Sequence, residues 1–551
     1  QRNIVKKIFM KNLLIYKNLY YKLFFIFYFC VGLFIYKDYN ITPDEPLHRV
    51  NGFISLKYIL DLFSININHS DFVESIPSIK NDWRNTYGVI FDLPVAILEV
   101  LFKIENIRDV YLIRHLLNFL IFFISTIFFF RLINLHFKSK LMSIFGVLIL
   151  ILSPRIFSHS FYNSRDLVFL SLIIISIYYN VKLLNYQHLK YLILAAVFSA
   201  FATNCRIIAI YIPFLTILFY YFKDFKEKSN FSLIKFSIYY LSIYFFIIFL
   251  FWPFLWPNPL NNFVYALVES SNYPAWWDFK TLFLGKYLNP EFIPWYYFFL
   301  WFFLTTPIFF SILIIFGLFL FLRNLLRSFL RINNNTKDLL WKNRIEMNEV
   351  YFFLFFFIPL FFVVTLNSTL YNGWRHLFFL YPLLILFGIK YFNYVYNYLN
   401  KKIFSLFLIF LFIQFTLNIL FIIQSHPVQN IYFNYIAKHF ISNMLPYDYW
   451  GSGNKVTIDK LLKLDNSKKI KLSVSSYTSL NKMKKLYNAN DKDRLVIFGT
   501  ANKQLADYIF TNYYYERNPL IAKKYSIPDN FYSYIELKIN GIKINEIYKK
   551  K

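Results

Sequence analysis

Long uninterrupted apolar runs recur along this chain, and they constrain it more than any other feature. Residues 233–256, 295–322, 350–366 and 403–423 each approach or exceed the roughly 20 residues that carry a helix across about 30 Å of hydrocarbon. Inside a bilayer every backbone N–H and C=O must be satisfied within the protein, so such runs have to be helical. Composition agrees. Of 551 residues, 58% are hydrophobic, 23% aromatic and only 16% charged, against about one quarter charged in soluble domains. The first run, 21–36, follows a basic N-terminal stretch without a small-residue cleavage site after it. It reads as a retained span and not as a removed signal peptide.

The formal charge of +29 invites a nucleic-acid reading, but the Lys and Arg residues sit between apolar runs and in the tail, not along one soluble face. No nucleic-acid partner is expected. Cys30 and Cys205 are the only cysteines and lie in or beside apolar runs, which leaves no disulfide framework and no Cys-based metal site.

The basic connections set the topology. Arg2, Lys6, Lys7, Lys11, Lys17 and Lys22 have no acidic neighbour, so the N-terminus is expected on the cytoplasmic side. The next basic connections are 131–140, 182–190, 223–235, 323–344 and 390–402. Placing all of them inside requires paired spans between them. About eleven spans result: 19–37, 111–133, 141–157, 167–184, 190–204, 207–222, 233–256, 295–322, 350–366, 376–396 and 403–423. The odd number puts the 128 residues after Ile423 outside. The run 89–104 is short and interrupted by Asp92, Pro94 and Glu99. It is placed as a surface helix within a long first external loop, 38–110, the alternative being a twelfth span.

The tail is a different material. Ile470-Lys471-Leu472-Ser473-Val474 and Leu495-Val496-Ile497-Phe498 alternate as strands do. Ile535, Leu537 and Ile539 alternate up to Asn540-Gly541, and Ile542 and Ile544 alternate away from it, a strong hairpin pattern. The predicted organisation is a polytopic α-helical membrane module, 1–425, followed by a small extracytoplasmic α/β domain, 426–551, the whole in the inner (plasma) membrane.

Three external loops carry the candidate chemistry. In Thr42-Pro43-Asp44-Glu45-Pro46-Leu47-His48-Arg49, Pro46 suits the first turn of a helix with Asp44 or Glu45 at its cap. His48 and Arg49 then share a face with Glu45. A carboxylate pair beside a base and a cation can do acid/base work; a capped surface helix explains the same spacing. In Ser153-Pro154-Arg155-Ile156-Phe157-Ser158-His159-Ser160-Phe161-Tyr162-Asn163-Ser164-Arg165-Asp166, Asn163 or Ser164 can cap the next span with Asp166 in its first turn. Capping does not require Arg155, His159 and Arg165, which can receive a phosphate. In the third loop, Asn367-Ser368-Thr369-Leu370-Tyr371-Asn372-Gly373-Trp374-Arg375-His376, Arg375 either snorkels beside Trp374 or joins the site with His376. The aromatic connection 252–295, with Trp252, Trp256, Trp276, Trp277 and Trp295, reads first as an interfacial belt and second as a sugar platform.

These segments resemble the GT-C superfamily of polyprenyl-phosphate-dependent glycosyltransferases, in the bacterial branch related to dolichyl-phosphate-mannose–protein mannosyltransferases and to lipid A aminoarabinose transferase. The likeness rests on Asp44-Glu45-Pro46-Leu47-His48 with Gly52, the 153–166 segment, Pro294-Trp295-Tyr296-Tyr297 to Thr305-Thr306-Pro307, and Gly373-Trp374-Arg375-His376. It continues through His426-Pro427-Val428-Gln429-Asn430-Ile431-Tyr432-Phe433-Asn434 and Tyr447-Asp448-Tyr449-Trp450-Gly451. It spans about residues 19–455.

The resemblance implies transfer of a hexosyl or pentosyl group from a polyprenyl-phosphate donor to a glycan, lipid or protein acceptor at the external face. The family's first-loop acid acts as catalytic base, and Asp44 matches it. Glu45 is the adjacent acid and stays a candidate. In that branch a basic or histidine residue falls three positions after the aspartate, whereas here Leu47 stands there and His48 follows. Asp166 matches the second external acid. His48, Arg49, Arg155, His159, Arg165, Arg375 and His376 are the expected donor-phosphate and substrate contacts. No metal ligand set is evident and no cofactor is required by this branch, although related GT-C enzymes bind a divalent ion. A lipid-linked glycan flippase without transfer chemistry and a membrane-anchored binding module are the competing readings. Ionisable groups at mid-span would mark the flippase, and this chain keeps its span centres nearly free of charge.

Overall fold

The structure is a computed structural model that describes residues 2–65, 76–80, 82–226, 232–271, 280–330, 341–438, 444–519 and 522–551. The centres of the basic connections 223–235 and 323–344 and the pair Trp276-Trp277 lie outside the described residues.

Among the described residues, eight helices are long and apolar enough to cross a membrane, so this is a multi-pass membrane protein. They fall within α1 (Arg2–Ile35), α4 (Ile107–Phe137), α7 (Asp166–Tyr186), α10 (Leu233–Leu250), α13 (Ile308–Leu330), α14 (Arg344–Thr365), α15 (Tyr381–Tyr398, preceded by the 3-10 turn Arg375–Leu380) and α16 (Lys401–Gln424). The pair α5 (Lys140–Ile151) and α6 (Pro154–Tyr162) makes a ninth if counted as one span, although the two are bent by 71°. The remaining two expected spans are the shorter apolar helix α8 (Leu189–Cys205) and the Ile207–Lys223 stretch, which includes most of α9 (Tyr211–Lys226). Side-chain caps mark several starts: the oxygens of Asn106, Asn343 and Asn400 accept from the N–H groups of Arg108, Glu346 and Ile403, satisfying donors that an α-helix leaves orphaned.

Prolines correct three expected boundaries. The run 295–322 is not one helix but α12 (Tyr297–Thr305) and α13, because Pro307 lacks an N–H and holds Thr306 extended (φ −100°, ψ 140°). The run 233–256 ends as a helix at Leu250, before Trp252-Pro253. The α5/α6 bend falls at Ser153-Pro154, where Ser153 Oγ donates to Ile149 O and meets Tyr381 Oη, both at 2.7 Å. That bend turns the Arg155–Tyr162 face inward, and α6 is buried along its whole length.

One buried polar network inside the bundle is centred on Asn180. Asn180 on α7 donates to Ser176 O and Ser199 Oγ, and its Oδ1 accepts from Thr216 at 3.0 Å and Tyr240 at 2.9 Å. Tyr351 on α14 closes the network on Thr216. Four neighbouring helices are thereby joined to α7, as unpaired polar groups in hydrocarbon would not allow.

Between α1 and α4 lie α2 (Glu45–Leu62) and α3 (Asp92–Leu101). With ten residues, α3 is about 15 Å long and too short to span. It packs so closely on α2 that a Cβ at Gly52 would lie 2.3 Å from Asp92 O. Further on come α11 (Pro259–Ser271), a two-stranded antiparallel hairpin, β1 (Thr281–Phe283) and β2 (Lys286–Leu288), and, past α16, the short α17 (Tyr435–Lys438).

The C-terminal part is a five-stranded mixed sheet in the order β4-β3-β5-β7-β6, with α18 (Ser452–Leu464) ahead of its first strand and α19 (Asn481–Lys484) and α20 (Ala489–Arg494) between its first two strands in chain order. The strands β3 (Ile470–Val474) and β4 (Leu495–Phe498) are parallel, as are β3 and β5 (Tyr508–Thr511). The last hairpin, β6 (Phe531–Ile539) and β7 (Ile542–Lys550), turns at Asn540 (φ 50°) and Gly541 (φ 81°), the positive-φ pair that a two-residue hairpin requires. This part is not a separate bead on the tail. Asn40 Nδ2 donates to Gly451 O at 2.7 Å, Tyr514 Oη to Asn372 Oδ1 at 2.7 Å, and Lys482 Nζ to Pro43 O at 2.9 Å.

Candidate active site

Asp44 occupies the N-cap position of α2 but its side chain makes no capping hydrogen bond. Its carboxylate turns away from the helix: Oδ2 accepts from Arg375 Nη1 at 2.6 Å and Oδ1 from Tyr449 Oη at 2.5 Å. Burial alone would raise this carboxyl group. The Arg375 guanidinium, His48 and the two hydrogen bonds outweigh it and hold Asp44 below the usual carboxylate range. Glu45 points the other way. It is 1% exposed, accepts from Thr42 N at 2.7 Å and Thr42 Oγ1 at 3.0 Å, and meets His115 Nε2 at 2.8 Å. Glu45 is therefore a buried pin for the start of α2 and does not line the cavity described below.

Asp166 opens α7, and Asn163 Oδ1 accepts from its N–H at 2.9 Å, while the N-cap position itself is held by Arg165 without a side-chain cap bond. The Asp166 carboxylate itself is ion-paired with Arg206 and lies 3.9 Å from Arg375 Nη1. Arg375 thus stands between the acids of two loops that are 122 residues apart in the chain. Its side chain is 6% exposed, which excludes snorkelling. The turn that delivers it uses Asn372 (φ 57°) and Gly373 (φ 82°). The Gly373 N–H donates to Tyr297 Oη at 3.2 Å and Trp374 Nε1 to Thr305 Oγ1 at 2.8 Å. Trp374 is buried, so it is a strut for this turn and not part of a belt. The 297–306 stretch braces Arg375 without reaching the acids.

Asp44, His48, Arg165, Asp166, Arg375 and His376 all line one cavity of about 1100 Å³. His48 Nδ1 meets Ser164 Oγ at 2.9 Å, joining the first two loops, and burial pushes the His48 imidazole down to about 4. Arg165 lies 3.5 Å from Asp92 and over the Tyr87 ring. Three expected contacts are elsewhere. Arg49 is ion-paired with Glu99 and ties α2 to α3. Arg155 donates to Tyr432 O at 3.0 Å and packs over Phe433 and Trp301. His159 meets Asn163 at 3.0 Å and packs edge-on to Trp450. Each is held by packing that brings it against buried neighbours, which spacing along one loop does not reveal.

Sequence reasoning missed Arg206, Tyr449 and Lys482. Arg206 ends an apolar helix that carried no motif. Tyr449 and Lys482 come from the C-terminal part, Tyr449 by way of the Tyr447–Gly451 motif. Within that motif the buried Asp448 accepts from Ser452 N at 3.0 Å and Gly453 N at 2.9 Å, fixing the turn. Tyr449 then reaches Asp44, and Trp450 faces Arg375 at 4.9 Å. Lys482 lines the cavity, and burial lowers its ammonium below the usual lysine range.

The cavity has two characters. Arg165, Asp166, Arg206, Arg375 and His376 give its lining a polar, largely cationic part, and Ile207, Ile208, Tyr211, Phe362, Val363 and Leu366 a mainly apolar one. Phe362 and Leu366 are 48% and 58% exposed. Among the described residues no group of three His, Cys, Asp or Glu side chains is placed to hold a metal ion. Trp252 donates through Nε1 to Asn85 O at 3.2 Å and lines the cavity, whereas Trp295 is exposed.

Residues 96–256 match the family model for dolichyl-phosphate-mannose-protein mannosyltransferase. The matched segment runs from α3 through α10 and includes Asp166 and Arg206, in accord with the resemblance read from the loop motifs. No curated protein matches the chain. Two solved structures of ArnT from Cupriavidus metallidurans are similar to it over 96% of its length. The one bound to undecaprenyl phosphate is covered to 98%, at 11% identity and a TM-score of 0.38. The apo one is covered to 97%, at 10% identity and a TM-score of 0.43.

Proposed function

We propose that this chain is an inverting membrane glycosyltransferase that moves a sugar from a polyprenyl-phosphate donor to an acceptor hydroxyl, with Asp44 as general base. The observation that carries the reading is the Asp44–Arg375–Asp166 cluster in a cavity whose lining also includes the apolar side chains of 207–208 and 362–366. An amphipathic donor fits that division: its hydrocarbon chain against the 207–211 and 362–366 walls, its phosphate among the arginines.

The sugar C1–O bond to the lipid phosphate breaks, a bond from C1 to the acceptor oxygen forms on the opposite face, and polyprenyl phosphate departs. Arg375, Arg206 and Arg165 offset the charge developing on the leaving phosphate. The acceptor proton passes to Asp44, whose oxygens keep a free lone pair beside the Arg375 and Tyr449 hydrogen bonds. A donor phosphate competes with Asp44 for Arg375, so donor binding itself raises the basicity of the carboxylate. In this scheme the arginines do the work a divalent ion does elsewhere, and transfer should survive chelation.

The test is transfer in membranes supplied with a lipid-linked sugar. Asp44→Asn should abolish it at normal protein levels, and Asp166→Asn should lower it through Arg206 and Arg375. Undiminished product with Asp44→Asn, or movement of the lipid-linked sugar across vesicles with no glycosylated product, would overturn the assignment.

A further inference from the structure

A second cavity, of about 570 Å³, lies at the far ends of α7 and α8, whose opposite ends line the first. Its walls include Arg131 and Asn134 of α4, Tyr178 and Lys182 of α7, and His188 and Tyr191 at the start of α8. Asp166, in the first turn of α7, lines the large cavity. Lys182 follows sixteen residues later, about 24 Å along the helix. The two cavities therefore open toward opposite faces of the membrane.

Among the described residues none that lines the second cavity is acidic, and segments 131–140 and 178–191 contain no Asp or Glu. The two cations rest on rings. Lys182 Nζ lies 5.1 Å from the Tyr178 centroid and 4.8 Å from that of Tyr191, and Arg131 Cζ lies 5.4 Å from that of Phe128. Aromatic faces orient a cation without cancelling its charge, so the pocket keeps its positive potential. An apolar lane leads away from it along the bundle surface. Ile124, which is 45% exposed, Phe128 and Arg131 share one face of α4 by their spacing. Phe128 packs against Tyr179 at 5.6 Å between centroids, and Tyr179 stacks on Phe198 of α8 at 5.4 Å.

We propose that this pocket binds an anionic phospholipid of the leaflet opposite the large cavity, with its headgroup phosphate on Arg131 and Lys182 and an acyl chain along the Ile124–Phe128–Tyr179 lane. The lane decides for a lipid over a free anion, because a headgroup at this position necessarily lays its chains on that surface. Basic pockets between membrane helices recognise such headgroups by charge and by the ring of hydrogen-bond donors around them.

The experiment is native mass spectrometry of the full-length protein, delipidated in detergent and titrated with phosphatidylglycerol or phosphatidylcholine. The wild type should retain phosphatidylglycerol in preference. Arg131→Gln should weaken that retention roughly fivefold and the Arg131→Gln/Lys182→Gln pair roughly 25-fold, with phosphatidylcholine unaffected. The control Lys401→Gln/Lys402→Gln removes two exposed cations from the start of α16 and should change nothing. Equal retention by the Arg131/Lys182 variant and the wild type would overturn the proposal, as would an equal loss in the control, which would mean diffuse charge. Full displacement of the lipid by an equal concentration of inorganic phosphate would overturn it in favour of a free-anion site. Should the double variant fail to fold, Arg131→Gln alone, a change at an exposed helix surface, decides.

Discussion

Removing one oxygen atom, in Tyr449→Phe, isolates what the C-terminal part contributes to the site. Tyr449 Oη donates to Asp44 Oδ1 at 2.5 Å while Arg375 holds Oδ2 at 2.6 Å, so the variant strips one of two donors from the carboxylate and leaves the cavity shape alone. A hydrogen bond to a charged group contributes about 1.5–3 kcal/mol. Because Arg375 stays, the lower part of that range applies, and about 1.4 kcal/mol corresponds to one pH unit. Asp44 has a depressed folded-state pKa, so its ionised form persists above that value and is lost as pH falls through it. Tyr449→Phe raises the value and moves the loss upward. The acid limb of kcat/KM, which reports the free enzyme, should therefore shift to higher pH by about one unit, with the plateau little changed. The assay is transfer from a lipid-linked sugar in membranes across a pH series, beside the wild type. An acid limb that stays in place, with a uniform fall at every pH, would refute the idea that Tyr449 acts through Asp44.

Glu45→Gln should lower the melting temperature of the purified protein, since it weakens a buried charge held by Thr42 and His115, while transfer per folded molecule changes far less than in Asp44→Asn. A breaking of that buried pair costs about 3–5 kcal/mol, and a melting curve checks it. His48 should stay neutral through the range where an ordinary histidine titrates. Because its folded pKa lies at about 4, below the unfolded value, the protein binds fewer protons than its unfolded chain in that window, and stability falls as pH drops toward 4; a His48→Asn melting series should flatten that slope. Asn180→Leu strands Thr216 and Tyr240 among four helices and should cost about 1–3 kcal/mol, read as a lower temperature for aggregation of the detergent-solubilised protein, with the acid limb of transfer unmoved.

Much of this architecture is legible along the chain because its causes are local. Hydrocarbon thickness sets the length of an apolar run, alternation marks β3 and β4, and the Asn540-Gly541 pair marks the last hairpin. The three loops rich in acids and cations are equally visible as sequence. What spacing leaves open is which carboxylate faces the cavity, since Asp44 and Glu45 are neighbours on one turn and differ only in which partners packing brings to them. Asp44 meets Arg375 and Tyr449, 331 and 405 residues away in sequence; Glu45 meets His115. The same holds for Arg49, whose nearness to the motif counts for less than the approach of Glu99 on α3, and for Arg206, which has no motif at all until the end of α8 is laid beside Asp166. Periodicity and composition act over a few residues, and they decided the spans, the loops and the strands. The assembly of one acid, one guanidinium and one phenol into a site depends on contacts between distant segments, and only the packed tertiary structure decides those.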